Sequence, residues 1–328
     1  MRPRTERKIV LVTRPSRLTE LIARHLTREQ ARFHLEHLGA DFSDYQREHD
    51  RYGEAQSEAV RLLGNWGRVH VVDRRFLPNY LFGPTDVVVA MGQDGLVANV
   101  LKYLHGQPLI GVNPDPVRWE GVLLPFQVGD LMSLLPEVLC GRRALREVTM
   151  AQATVNRTQV LYAVNDLFLG VRGHGSARYR LRLGEQSETQ SSSGVVVSTG
   201  LGSTGWFQSL ITGAAQVSQL ATKAARAPVA PATATPALAD AEKLAAPWRF
   251  DWDARHLFYT VREPFPSRHT GCRMVFGRIE AGLPLVLESQ MAEHGLIFSD
   301  GLEHDALEFN AGSRVEVSVA ERRGLLVV

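Results

Sequence analysis

The spacing of hydrophobic residues changes once along this chain, and the change divides it. Residues 87–91 (VVVAM) are continuously apolar, as expected of a parallel strand buried on both faces. After Gly95 the apolar residues fall at Val97, Val100, Leu101 and Leu104, the spacing of one helix face. Residues 8–13, 68–73 and 108–113 read as further strands. Ser16 stands where it can cap a helix with Leu18, Leu21, Ile22 and Leu26 on its apolar side, and a longer helix is predicted over 44–63. Strands alternating with helices predict a parallel sheet. Near Leu145 the texture changes to short strands and turns, at 160–171, 177–184, 194–198, 256–263, 272–279, 283–288, 295–299 and 313–319. The chain therefore reads as an α/β domain over 1–145 and a β-rich domain over 146–328. Within the second, residues 213–247 are dominated by Ala, Pro and Thr and read as a mobile insertion with a helix at either end.

Composition narrows the function classes. The 328 residues are 44% hydrophobic, enough for two domains with cores of their own. Thirty-seven basic residues nearly balance thirty-five acidic ones without a long basic block, which argues against a dedicated nucleic-acid or membrane binder. The basic opening stretch has too short an apolar run for a signal peptide, and no stretch is long enough to span a bilayer. Cys140 and Cys272 form neither a disulfide framework nor a zinc signature. They are expected to be buried free thiols in a cytoplasmic protein.

Three places carry candidate chemistry. Asp94, between Gln93 and Gly95, falls on the predicted strand-to-helix turn, where ligands bind in open α/β sheets. Either it serves such a ligand or it caps the helix, since Asp is a favoured N-cap. Gly200, Gly202 and Gly205 match G-x-G-x-x-G, but the surrounding β-meander is the wrong setting for a Rossmann unit. What survives is a small-residue turn with approachable amides and, at Trp206, either a flat surface for a base or a core residue. Arg178, Arg180 and Arg182 alternate with apolar residues and could form a phosphate-binding stripe, but a solvated strand face is favoured. There is no P-loop, no G-x-S-x-G elbow and no H-E-x-x-H, and the histidines lack metal-ligand spacing.

The order of the motifs is more specific than any one of them. GQDGL (92–96), IGVNPDPVRWEGVLLPF (110–126), AVNDLFLG (163–170), SSGVVVSTGLGSTGW (192–206) and VREPF (261–265) together resemble the NAD kinases, and most closely their mitochondrial-type branch. The resemblance implies the NAD kinase and diacylglycerol kinase-like fold, an α/β N-terminal domain with a parallel sheet followed by a β-rich domain, with the active site in the interdomain cleft. It implies transfer of the γ-phosphoryl of ATP, or of polyphosphate, to the 2′-hydroxyl of the adenosine ribose of NAD(H), giving NADP(H), with Mg²⁺ as cofactor and a homodimer as the assembly. By the same resemblance Asp94 activates that hydroxyl, and Gly92 and Gly95 keep the backbone open to phosphate. Asn165 and Asp166 fill the family's Asn-Glu pair at the dinucleotide. Ser203, Thr204 and Trp206 fall in its Gly-Ser-Thr-Ala-Tyr segment, with Trp206 placed to pack on adenine. Gln93 stands where the family has a second glycine, and Leu96 where it has Thr. A catalytically inactive nucleotide-binding homologue, or a kinase of the same superfamily acting on a lipid or sugar hydroxyl, are the alternatives.

Overall fold

Ile9–Thr13 (IVLVT) is buried at every position, which its unbroken apolar run requires. It pairs in parallel with Val69–Asp73 on one side and with Val87–Met91 on the other, and Val87–Met91 pairs in parallel with Pro108–Asn113. The computed structural model describes residues 5–226 and 246–328. The chain divides into two units, Met1–Glu147 with Gly324–Val328 and Val148–Arg323.

In the first unit, Leu325 and Leu326 extend the parallel sheet beside Pro108 and Leu109. Ala59, Leu63 and Trp66 from the Phe42–Gly64 helix and its exit, and Leu131, Leu134 and Leu135 from Leu131–Leu139, pack on Ile9, Leu11, Val87, Val89 and Ile110. Ser16 caps Arg17–His25 as its sequence predicts, its side chain accepting from the Thr19 amide at 3.1 Å. Leu26 departs from expectation: it ends that helix at φ 70° and is 82% exposed, because the chain turns there into a second helix, Arg28–His37, capped by Thr27.

The second unit is antiparallel. One sheet runs in the order Phe276–Glu280, His256–Val261, Val195–Ser198, Asp166–Val171, Gly295–Ser299, Leu302–Glu308. Gln186–Ser192, Ala177–Leu183, Leu285–Ser289 and Arg314–Val327 form a second succession. Leu167, Leu169, Val195, Val197 and Tyr259 of the first share a core with Tyr179, Leu181, Leu285, Leu287 and Val317 of the second. Arg178, Arg180 and Arg182 are exposed and alternate with buried Ala177, Tyr179 and Leu181, the solvated face favoured by the alternation. Gln186–Ser192 (QSETQSS) has no apolar residue to announce it, and it forms by pairing along its whole length with Ala177–Leu183 at the end of the sheet.

Of the expected insertion at 213–247, the first part continues the helix Trp206–Arg226 and a short 3₁₀ turn spans Ala246–Trp248. The remainder lies outside the described residues. The expectation of buried thiols is overturned. Cys140 and Cys272 are both free and exposed, Cys140 because it closes the helix Leu131–Leu139 and Cys272 because it lies in the loop before Phe276–Glu280. Among the described residues no helix is long and apolar enough to cross a membrane.

Candidate active site

The buried strand Val87–Met91 delivers Asp94 to the first position of the helix Asp94–Leu101. The N-cap is Gln93, which makes no side-chain cap bond. Asp94 is therefore not the cap, and its carboxylate turns instead to another loop. Oδ1 accepts from the Leu123 amide at 2.8 Å and Oδ2 from the Val122 amide at 3.3 Å. An ionised carboxylate offers about four lone-pair positions, so two amides orient it without exhausting it.

The loop that meets Asp94 owes its course to the N-P-D-P stretch. Asn113 Nδ2 donates to the Trp119 carbonyl at 2.8 Å, and Asn113 Oδ1 accepts from the Asp115 amide at 3.1 Å. The chain then turns at Gly121, at φ +66°, and crosses Gly111 so closely that a Cβ there would lie 2.0 Å from the Leu123 carbonyl oxygen. Glycine is required at both places, by conformation at 121 and by contact at 111. At Gly92 a Cβ would come within 3.0 Å of the Leu96 side chain, whereas one at Gly95 would meet nothing within 4 Å.

Gln93 faces the end of the first strand, where its Oε1 accepts from Arg14 Nη1. Arg14 Nη2 reaches Glu48 at 3.3 Å, and the Arg14 amide donates at 3.0 Å to Tyr52 Oη, which donates at 2.9 Å to the Met91 carbonyl. Burial pushes the Tyr52 phenol up to about 12, so it stays a donor at neutral pH. Glu48 also pairs with Arg17, and Asp44 with Arg17 at 2.7 Å and Arg118 at 3.1 Å. The Arg118 and Arg17 guanidiniums hold the Asp44 carboxyl far below the usual carboxylate range. A cavity of about 640 Å³ opens beside this network, lined by Arg14, Ser16, His49, Tyr52, Arg75 and Tyr80 among others.

In the second unit, Asn165 and Asp166 occupy a corner between Gln159–Ala163 and Asp166–Val171. Burial, and then the charge of Asp300, push the Asp166 carboxyl up to about 7. Thr199 donates its amide to the Asn165 carbonyl at 3.0 Å, and a Cβ at Gly202 would lie 2.0 Å from that same carbonyl oxygen. A Cβ at Gly200 would lie 1.9 Å from the Asp251 carbonyl oxygen. These two glycines are thus occupied by close backbone approach within the protein. Ser203 is buried and donates to the Gly200 carbonyl at 2.7 Å, while Thr204 is exposed. Trp206 opens the helix Trp206–Arg226 half-buried, stacked on Phe168 with ring centroids 5.8 Å apart and on Phe298 at 6.5 Å, with the Arg262 guanidinium 5.4 Å from its ring. A helix does follow the glycine turn, but the strand before it is antiparallel to both neighbours, so the Rossmann reading fails on the sheet.

Each unit thus brings together its own share of the expected residues: Gly92, Asp94 and Gly95 in the first, and Asn165, Asp166, Ser203, Thr204 and Trp206 in the second. Sequence reasoning missed Arg14, Phe168, Arg262, Phe298 and Asp300. Phe168 and Arg262 lay inside quoted motifs without a role; the others carry no local pattern. Among the described residues no group of three or more His, Cys, Asp or Glu is arranged to hold a metal ion.

No family model matches the chain. A stretch of 134 residues, 38% of the chain, is 28% identical to a NAD kinase of Symbiobacterium thermophilum, and it spans less than half, 46%, of that curated relative. The structure resembles that of a NAD kinase from Archaeoglobus fulgidus in complex with ATP, with a TM-score of 0.55 and 13% identity, over 98% of this chain and 93% of the other. It resembles yeast NADH kinase complexed with NADH equally, with a TM-score of 0.55 and 11% identity, over 99% and 84%. The fold is that of the NAD kinases, as the motif order implies.

Proposed function

We propose that the chain is a NAD kinase-like phosphotransferase that moves the γ-phosphoryl group of ATP to the 2′-hydroxyl of the adenosine ribose of NAD(H). The reading is carried by the placement of Asp94: the acid of the GQDGL turn stands at a helix start beyond a buried parallel strand, oriented by two amides and free of any capping duty. The bound ligands of its structural neighbours, ATP in one and NADH in the other, support the same substrates here.

In this reading the ribose oxygen forms a bond to the γ-phosphorus as the bond to the bridging oxygen breaks and ADP leaves. Asp94 takes the hydroxyl proton. Phosphoryl transfer asks for positioning and charge stabilisation more than covalent chemistry, which suits a turn built from a fixed carboxylate and an open glycine. Asn165, Asp166 and Trp206 hold the dinucleotide. Mg²⁺ would be held chiefly by the ATP phosphates and water, where it would neutralise phosphate charge, and Asp94 is left to take the ribose proton. A cytoplasmic homodimer, nearest to the mitochondrial-type branch in its motifs, completes the proposal.

The test is direct. Purified protein incubated with ATP, Mg²⁺ and either NAD or NADH is assayed for NADP(H) with an NADP-specific dehydrogenase, beside polyphosphate as donor and lipid and sugar hydroxyls as acceptors. Formation of NADP(H) is expected. Phosphorylation of another acceptor, or of none by a folded protein, overturns the proposal.

A further inference from the structure

The corner that carries Asn165 and Asp166 is organised by a residue outside every motif. Asp300 lies on the turn between Gly295–Ser299 and Leu302–Glu308, at φ 51°, where a residue other than glycine is uncommon. Its Oδ1 accepts from the amides of Asn165 at 2.7 Å and Asp166 at 3.2 Å, and its Oδ2 from that of Val164 at 3.0 Å. Its own amide donates to the Asp166 carbonyl at 3.0 Å. One side chain therefore takes up the donors of three successive residues, and the backbone of the corner has little freedom left to move against it.

We propose that Asp300 is a positioning residue for the dinucleotide: it fixes the Asn165–Asp166 corner and, by keeping the negative charge of the pair for itself, leaves the Asp166 carboxyl as a hydrogen-bond donor toward the ligand. This rests on the NAD kinase reading, which takes Asp166 to meet the dinucleotide. Two neighbouring carboxyls ionise together only at a cost, and the one that accepts amide hydrogen bonds keeps the charge. The rise of Asp166 to about 7, from burial and from Asp300, agrees. The other elements at the corner do not compete for this role. Val195–Ser198, paired with Asp166 through Ser198, brings no charge, and neither do Thr199 and Ser203. Tyr162, just before the corner, lies against Arg322 with the guanidinium 3.3 Å from its ring. Leu302–Glu308 carries Glu303, His304, Asp305 and Glu308, but after burial it is the charge of Asp300, on the preceding turn, that raises Asp166.

Calorimetric titration of NAD into the full-length protein at about pH 6 and about pH 8.5 tests this, using wild type, Asp166→Asn and Asp300→Asn. Wild type is expected to bind about tenfold more weakly at the higher pH, and Asp166→Asn, neutral throughout and still able to donate, equally at both. Asp300→Asn is expected to bind about tenfold more weakly than wild type at about pH 6, with its pH midpoint moved down. Equal wild-type affinity at both pH values, or an Asp300→Asn protein that binds with the wild-type affinity and midpoint, overturns the inference while the NAD kinase reading stands. If the melting curve shows that Asp300→Asn does not fold, Asp166→Asn decides, and a persisting pH dependence in it is fatal. A folded wild type that binds no dinucleotide at either pH removes the NAD kinase reading, and this inference with it.

Discussion

Gln93 Oε1 accepts a hydrogen bond from Arg14 Nη1, and this pair ties the turn before Asp94 to the end of the first strand. Gln93 sits at φ −123° and ψ 163°, ordinary extended backbone. A side chain where the resembled family has glycine therefore brings no backbone strain, and it gives Arg14 a partner besides Glu48.

Gln93→Gly is accordingly expected to destabilise the protein, by about 1–2 kcal/mol for a part-buried bond to a charged donor, and to leave turnover within about tenfold. Chemical denaturation and the NADP-coupled assay on one preparation check both. A turnover gain beyond tenfold would mean that Gln93 obstructs the phosphate path.

Asp94→Asn replaces one of two accepting oxygens by a donor that faces the Val122 or Leu123 amide. Turnover is expected to fall by about 10²–10⁴ because no group remains to take the ribose proton. The melting temperature should fall by a few degrees as one amide loses its partner, while the affinity for NAD persists. Unchanged turnover would sink the catalytic role.

Trp206 has two employments, packing on Phe168 and Phe298 and offering a ring to the dinucleotide, and two variants separate them. Trp206→Phe keeps an aromatic ring against its neighbours and is expected to lose little stability. Trp206→Ala should lose about 1–3 kcal/mol of dinucleotide binding, the range for a base stacked on an aromatic side chain. Titration with NAD, beside melting curves, reads this. A Trp206→Ala protein that binds NAD normally would leave only the packing role.

The parallel sheet of the first unit was legible because a strand buried on both faces must be apolar throughout, as Val87–Met91 is. The helix Arg28–His37 was not, because only Ala31 and Leu35 are buried and its face is too narrow to stand out. Leu145–Val155, Gln186–Ser192 and Leu302–Glu308 escaped for a related reason: their pairing is made by backbone groups, which the side-chain pattern does not record. At the site, the residues read from motifs are those that short sequence spacing places together. Arg14 and Asp300 act on partners 79 and 135 residues away, Gln93 and Asn165, and nothing in a local stretch points to either pairing.

Asp166 also sets a pH dependence of stability. Its folded value of about 7 lies above the ordinary 3.8, so the folded state holds the proton more tightly than the unfolded chain does. The associated stability is fully present below about 4 and is lost as pH rises through about 7. Asp166→Asn removes this dependence. At about pH 8 the variant should melt above wild type by roughly 2–6 °C, and near pH 4 the difference should vanish. Parallel melting curves at the two pH values check it, and equal curves at about pH 8 would count against a neutral Asp166 in the folded state.

Gly324–Val328 belong to the first unit, although the whole of the second unit precedes them in the chain. A Cβ at Gly324 would lie 2.4 Å from the Leu101 side chain, and Leu325 and Leu326 are hydrogen-bonded beside Pro108 and Leu109. Synthesis proceeds from the N-terminus, and domains generally fold as they emerge. Here the first unit is completed only once residues 148–323 have been made, because Leu325 and Leu326 supply the strand beside Pro108 and Leu109. A change at Leu325 or Leu326 therefore acts on the domain that carries Asp94, not on the one that precedes them in the chain.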